Sequence, residues 1–182
     1  MQFNRILIAG IFCSCISKID AGELGAKLNT QIELLPSCSI NNNSIVNEES
    51  KLNFGEINFG EATASFNGTI ESSLINSDGV GLKIQCAGMA SVKVKIGSGQ
   101  NGNKIPIAFS GEYYYALSNG KDFLAYNLLF GADRVVIKPN DSFTLKNTSQ
   151  VQEIYIFGRV VNNGYAVSTG NYIDLVSIVV EF

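Results

Sequence analysis

Residues 24–34 read Leu24-Gly25-Ala26-Lys27-Leu28-Asn29-Thr30-Gln31-Ile32-Glu33-Leu34, and the fold turns on how this stretch is read. Leu24, Ala26, Leu28, Thr30, Ile32 and Leu34 form one row. Glu23, Gly25, Lys27, Asn29, Gln31 and Glu33 form the other. A period of two predicts an extended strand with one mostly apolar face and one polar face. Once a leader is removed, the stretch becomes a leading arm, a place where most domains fray. A strand this regular in such a place needs a groove to fill, either its own or that of another subunit.

The 182 residues are enough for one domain with a core of its own. Glycine is abundant (18), proline scarce (3), and Val, Ile, Phe and Tyr gather in short runs, which favours an all-β chain. There is no histidine, so the commonest general base and the commonest metal ligand are both missing. The net charge is −3 and the basic residues are scattered, which argues against nucleic-acid binding.

Residues 1–21 read as a secretory signal peptide, with Arg5 as the charged start, Ile6 to Ser17 as the apolar stretch and Ala21 at the cleavage point. Cleavage after Ser17, or a lipid-modified Cys15, is the alternative. The apolar stretch is too short to span a bilayer, so no stable membrane insertion is expected. Cys13 and Cys15 leave with the leader, and Cys38 and Cys86 remain. An even pair in an exported chain most simply means one disulfide, stabilising by about 4 kcal/mol on the chain-entropy model. Two buried free thiols are the other reading.

Further along, Leu34 to Ile40 is expected to continue as strand, followed by turn chemistry at Asn41 to Ser44 and polar loop to Lys51. Leu52-Asn53-Phe54-Gly55 is echoed by Ile57-Asn58-Phe59-Gly60 and reads as one strand with a bulge or turn. Residues 61–79 look like loop with one weak strand at Ser65 to Ile70. Val80, Leu82, Ile84 and Cys86 share one inward row, and Val92, Val94 and Ile96 another. The Gly-rich run 97–103 reads as an exposed flexible tip. Of Tyr113, Tyr114 and Tyr115, alternation puts some in the core and some at the surface. Strands are expected at Leu124 to Phe130, Arg134 to Lys138, Ser142 to Leu145 and, as one unit, Val151 to Val161. The chain closes on Tyr172 to Phe182, where Tyr172, Asp174, Val176, Ile178, Val180 and Phe182 share a face. Both faces are largely apolar, so this strand is either covered on both sides or one wall of an incomplete groove. Seven or eight strands at short spacing make a β-sandwich.

These motifs, in this order, resemble the spore-coat-protein-U-like subunits of archaic chaperone–usher pili. The resemblance rests on the alternating arm, the strand with Cys38, Leu52-Asn53-Phe54-Gly55, the strand ending in Cys86, Leu124-Ala125-Tyr126-Asn127-Leu128, Ile156-Phe157-Gly158-Arg159-Val160 and Gly170-Asn171-Tyr172-Ile173-Asp174. Phe157 stands where Tyr is common in that family. The resemblance implies an incomplete immunoglobulin-like β-sandwich (residues 34–182), completed by donor-strand complementation from an arm at 22–33. The donor side chains would be Leu24, Ala26, Leu28, Thr30, Ile32 and Leu34. The acceptor and chaperone-binding edge would be Val176, Ile178, Val180 and Phe182, with the Phe182 carboxylate gripped by chaperone basic residues. The implied partners are a periplasmic chaperone, an outer-membrane usher and identical or related pilin subunits, and the implied destination is the cell surface.

A surface pilus subunit without catalytic role, cofactor or metal is therefore the leading reading, with adhesion or biofilm as its use. A spore-coat or matrix protein stands next to it. A secreted lectin-like sandwich using loops 97–103 or 161–171 is the alternative binding module. An enzyme fits poorly: no Gly-x-Ser-x-Gly elbow exists, and acids such as Glu71 and Asp78 read as solvated surface groups. No acidic loop, neither Asn41 to Asn43 nor Asp133, has enough ligands for calcium.

Overall fold

The computed structural model describes residues 31–33, 37–45, 52–87, 91–146 and 148–182. The chain divides into two compact units, Met1–Glu33 and Leu34–Phe182. All strands below belong to the second unit. Among the described residues there are fourteen short strands, one 3-10 turn at Ile107–Phe109 and no α-helix.

Strand β1 (Ser37–Ile40) turns back at Asn41-Asn42 into β2 (Asn43–Ile45), with Ile40 opposite Asn43. Both turn residues have positive φ, 47° and 61°, the hand a two-residue hairpin requires and Asn tolerates. The turn is thus shorter than expected, and Asn43 and Ser44 already belong to the return strand. On its other side β1 pairs with β6 (Leu82–Ala87), where Cys38 lies opposite Cys86. The two cysteines form a disulfide and are both buried. With β12 (Gln152–Ile154) these strands make a four-stranded sheet.

The second sheet runs β10 (Val135–Ile137), β9 (Phe123–Phe130), β13 (Ile156–Asn163), β4 (Asn67–Asn76) and β3 (Glu56–Ile57). Two further strands join it, β5 (Gly79–Val80) against β4 and β8 (Tyr115–Ser118) against β9. The third sheet orders β11 (Ser142–Lys146), β7 (Ser91–Ile96) and β14 (Ile178–Glu181). Buried residues from all three sheets meet in one core: Ile84 and Cys86 from the first, Tyr126 and Val160 from the second, Val94 and Ile96 from the third. The fold is an all-β, immunoglobulin-like sandwich with open sheet edges.

Several elements differ from expectation, each for a physical reason. β4 lies where the sequence pattern predicts mostly loop, yet it is the longest strand. Its sequence, Asn67-Gly68-Thr69-Ile70-Glu71-Ser72-Ser73-Leu74-Ile75-Asn76, buries only Leu74. Ladder pairing with β13 and ion pairs hold it instead of an apolar row. Val80 does not share the inward row of Leu82, Ile84 and Cys86. Gly81, at φ +85°, turns the chain between them and leaves Val80 exposed. The run Val151 to Val161 is two strands in two sheets, because the chain crosses from one layer to the other at Tyr155. Tyr115 is fully buried and tilts against Tyr126 with ring centroids 5.3 Å apart, while Tyr113 and Tyr114 are half-buried.

Candidate functional site

Two of the edge strands, β14 and β3, each paired on one side only among the described residues, border a groove. β14 lies antiparallel to β7, with Ile178 opposite Ile96 and Val180 opposite Val94. No described strand pairs with its other edge. The preceding residues are tied down singly: Ile173 exchanges two backbone hydrogen bonds with Ser118 at 2.9 and 3.0 Å, and Gly97 N–H donates to Ser177 C=O at 2.7 Å. Val176, Ile178 and Val180 point inward and are half-buried, while Leu175 (63% exposed) and Val179 (48%) point out. Among the described residues the run Tyr172 to Phe182 is therefore an edge and not a strand covered on both sides.

The opposite wall is residues 52–60. Only Glu56 and Ile57 pair, against Ile75 and Leu74 of β4. The echo in the sequence has a local meaning: Gly55 N–H donates to Asn53 Oδ1 at 3.0 Å, and Gly60 N–H donates to Asn58 Oδ1 at 2.8 Å. Two Asx turns, each closed by a glycine of positive φ, break the expected strand and aim Phe54 and Phe59 at the core. Phe59 and Ile57 lie over Gly158. A Cβ there would sit 2.6 Å from Phe59 Cζ and 2.9 Å from Ile57 Cγ2, so the aromatic-Gly-Arg-Val motif needs its glycine for this contact.

Between these walls lies an open groove of about 1970 Å³. Its floor includes Ile70, Leu74, Leu124, Tyr126, Leu128 and Val160. Apolar side chains left half-wet beside two unpaired backbone edges are a template for another strand. One end of the groove is polar. Asp174 Oδ2 accepts the Tyr126 O–H at 2.7 Å. Asp174 Oδ1 accepts the N–H groups of Gln100 (2.9 Å) and Asn101 (3.1 Å) and the Asn101 amide at 3.2 Å. Burial, with the Asp174 charge beside it, pushes the Tyr126 phenol well up. The loop 97–103 is thereby pinned and is not a free tip. Among the described residues no cluster of three metal-ligating side chains occurs. Nor is any described helix long and apolar enough to cross a membrane.

Of the residues singled out by sequence, Cys38 and Cys86 are bonded, and Val176, Ile178, Val180 and Phe182 all line the groove. Leu24, Ala26, Leu28, Thr30 and Leu34 lie outside the described residues. Ile32 is described and is 81% exposed. Sequence reasoning missed the wall at 52–60 and the Tyr126–Asp174 bond. A lone acid in an otherwise apolar inward row was the available signal.

The fold and the groove define a class: all-β sandwiches with an apolar groove between two strands that, among the described residues, are paired on one side only. Residues 25–179 match the Spore Coat Protein U domain, and the chain belongs to that family. No curated protein matches it. Among solved structures it is similar to the CsuC–CsuE chaperone–tip adhesion subunit pre-assembly complex from the archaic chaperone–usher Csu pili of Acinetobacter baumannii. The identity is 22% and the TM-score 0.43, over 82% of this chain and 40% of that one. This chain thus spans less than half the length of the chain it matches.

Proposed function

We propose that this protein is a structural subunit of a chaperone–usher surface pilus that polymerises by donor-strand exchange. The single observation carrying the reading is the groove between β3 and β14, apolar along its floor and bordered by two unpaired edges. The occupant is the arm of a second copy, residues 22–33 and the start of the first strand. Eleven residues, 24–34, keep the period of two, and eleven, 172–182, form the edge. At about 3.3 Å per residue both extend roughly 36 Å. Leu24, Ala26, Leu28, Thr30, Ile32 and Leu34 are the donor side chains. Val176, Ile178, Val180 and Phe182 are the acceptor row.

Burying three or four Leu/Ile side chains and forming new ladder bonds along two edges are the gains that must outweigh the backbone entropy lost in fixing the arm. Before assembly the same slot must be shielded, and a periplasmic chaperone lending a strand along β14 fills that role. An outer-membrane usher, export behind the 1–21 signal peptide and a use in adhesion or biofilm complete the reading.

Deleting residues 22–33 tests it. The truncated chain is expected to lose polymerisation and still bind the chaperone. Fibres formed without those residues would overturn the proposal.

A further inference from the structure

The two rows that this reading brings together each carry a hydrogen-bonding side chain beside apolar ones, Thr30 on the arm and Asp174 on the edge; Tyr172, the other polar member of the edge row, already donates its hydroxyl to Ser168 C=O at 2.8 Å. The arm presents Leu24, Ala26, Leu28, Thr30 and Ile32. The edge presents Asp174, then Val176, Ile178 and Val180. We infer that the arm of a second copy enters antiparallel to residues 172–182 with Thr30 opposite Asp174, the Thr30 hydroxyl donating to the Asp174 carboxylate. The inference rests on the donor-strand reading and sharpens it.

Side chains on the same face change partners only in steps of two residues, so neighbouring registers are discrete alternatives. With Thr30 on Asp174, Leu28 faces Val176, Ala26 faces Ile178 and Leu24 faces Val180. A slip of two in one direction puts Ile32 against Asp174; a slip in the other puts Leu28 there. Either slip seals an aliphatic chain over a carboxylate, and the first sets the Thr30 hydroxyl opposite Val176. In a parallel arm holding the same pair, only Ile32 and Leu34 would meet Val176 and Ile178. Charge on the outward row weighs little, since Glu23 falls opposite Glu181, which Lys93 holds at 3.5 Å in solvent.

Asp174 is built to receive this donor. It is fixed by Tyr126 and by the backbone of Gln100 and Asn101. It packs where a Cβ on Gly99 would collide with Oδ2, and both it and Tyr126 line the groove. Oδ2 takes one bond, from Tyr126, and keeps a second lone pair.

Cysteine pairs read the register in polymers of the otherwise intact chain: Leu28→Cys with Val176→Cys, with Asp174→Cys or with Ile178→Cys. Covalent oligomers from the Val176 pair alone are expected. Oligomers from either other pair instead would overturn the register and keep donor-strand exchange. Absence of cross-links from all three pairs, together with polymerisation of the parent chain after deletion of residues 22–33, would overturn both. A second arm keeps the acceptor side native. Thr30→Val should speed subunit loss from fibres about tenfold and Thr30→Ser should leave it unchanged; equal rates for Thr30→Val and the parent would also overturn the register.

Discussion

Single residues in this protein are placed by very local demands. Gly158 is small because Ile57 and Phe59 rest on it. Gly158→Val should destabilise the domain by about 1–3 kcal/mol through overpacking and push the 52–60 wall outward, read by chemical denaturation. Tyr115 and Tyr126 make a contrasting pair. The Tyr115 hydroxyl is buried without a hydrogen-bond partner among the described residues, whereas that of Tyr126 donates to Asp174. Tyr115→Phe is expected to hold or raise stability by about 1 kcal/mol, and Tyr126→Phe to lower it by about 1–3 kcal/mol and loosen the 99–101 loop. Thermal melts of the two variants, moving in opposite directions, check the assignment. Leu82, Ile84, Cys86, Val92, Val94 and Ile96 were legible in sequence because each alternates strictly with polar or small neighbours. The Asp174 bond was not, since nothing in the sequence links it to residue 126.

At the scale of elements, β4 holds its place through partners and not through its own pattern. Glu71 accepts from Arg134 Nε at 2.6 Å and Arg159 Nη2 at 2.8 Å, and the Arg134 guanidinium lies 3.4 Å from the Phe157 ring centre. Hydrogen bonds from Arg134 and then Arg159 hold the Glu71 carboxyl below its ordinary value of 4.5. A lowered folded value means the stabilisation is complete above about pH 4.5 and is lost as pH falls through the folded value. Glu71→Gln should therefore lower stability at neutral pH and flatten the decline that the parent shows as pH falls below about 4.5, measured by denaturation at several pH values. Elements like β4, rich in Ser, Asn and Gly, escape pattern reading because their ladder partners on β13 lie 84 to 96 positions away. The same holds for Gln152 to Asn163, where continuous strand character hid a change of sheet at Tyr155.

For the molecule as a whole, the disulfide and the open apolar groove pull in opposite directions. Cys38–Cys86 ties β1 to β6 across 48 residues, in a domain that leaves Val176, Ile178 and Val180 half-wet. Replacing both cysteines by Ala should cost about 2–5 kcal/mol, seen as a lower denaturation midpoint. The class of fold was legible from glycine and β-branched content and from the order of short motifs. One wall of the groove was legible from the apolar alternation of residues 172–182, but the second was not, because Leu52 to Gly60 is a turn-broken segment whose place opposite β14 depends on sheet order. That order lies in long-range pairing that no local pattern carries.

Amide hydrogen exchange across residues 173–181 bears most directly on the slot and its occupant. The assembled full chain is compared with chain lacking residues 22–33. Slow exchange at every amide in the assembled chain, against fast exchange at alternate amides in the shortened one, is the expected result. Equal protection in both would mean that this edge already has a partner of its own.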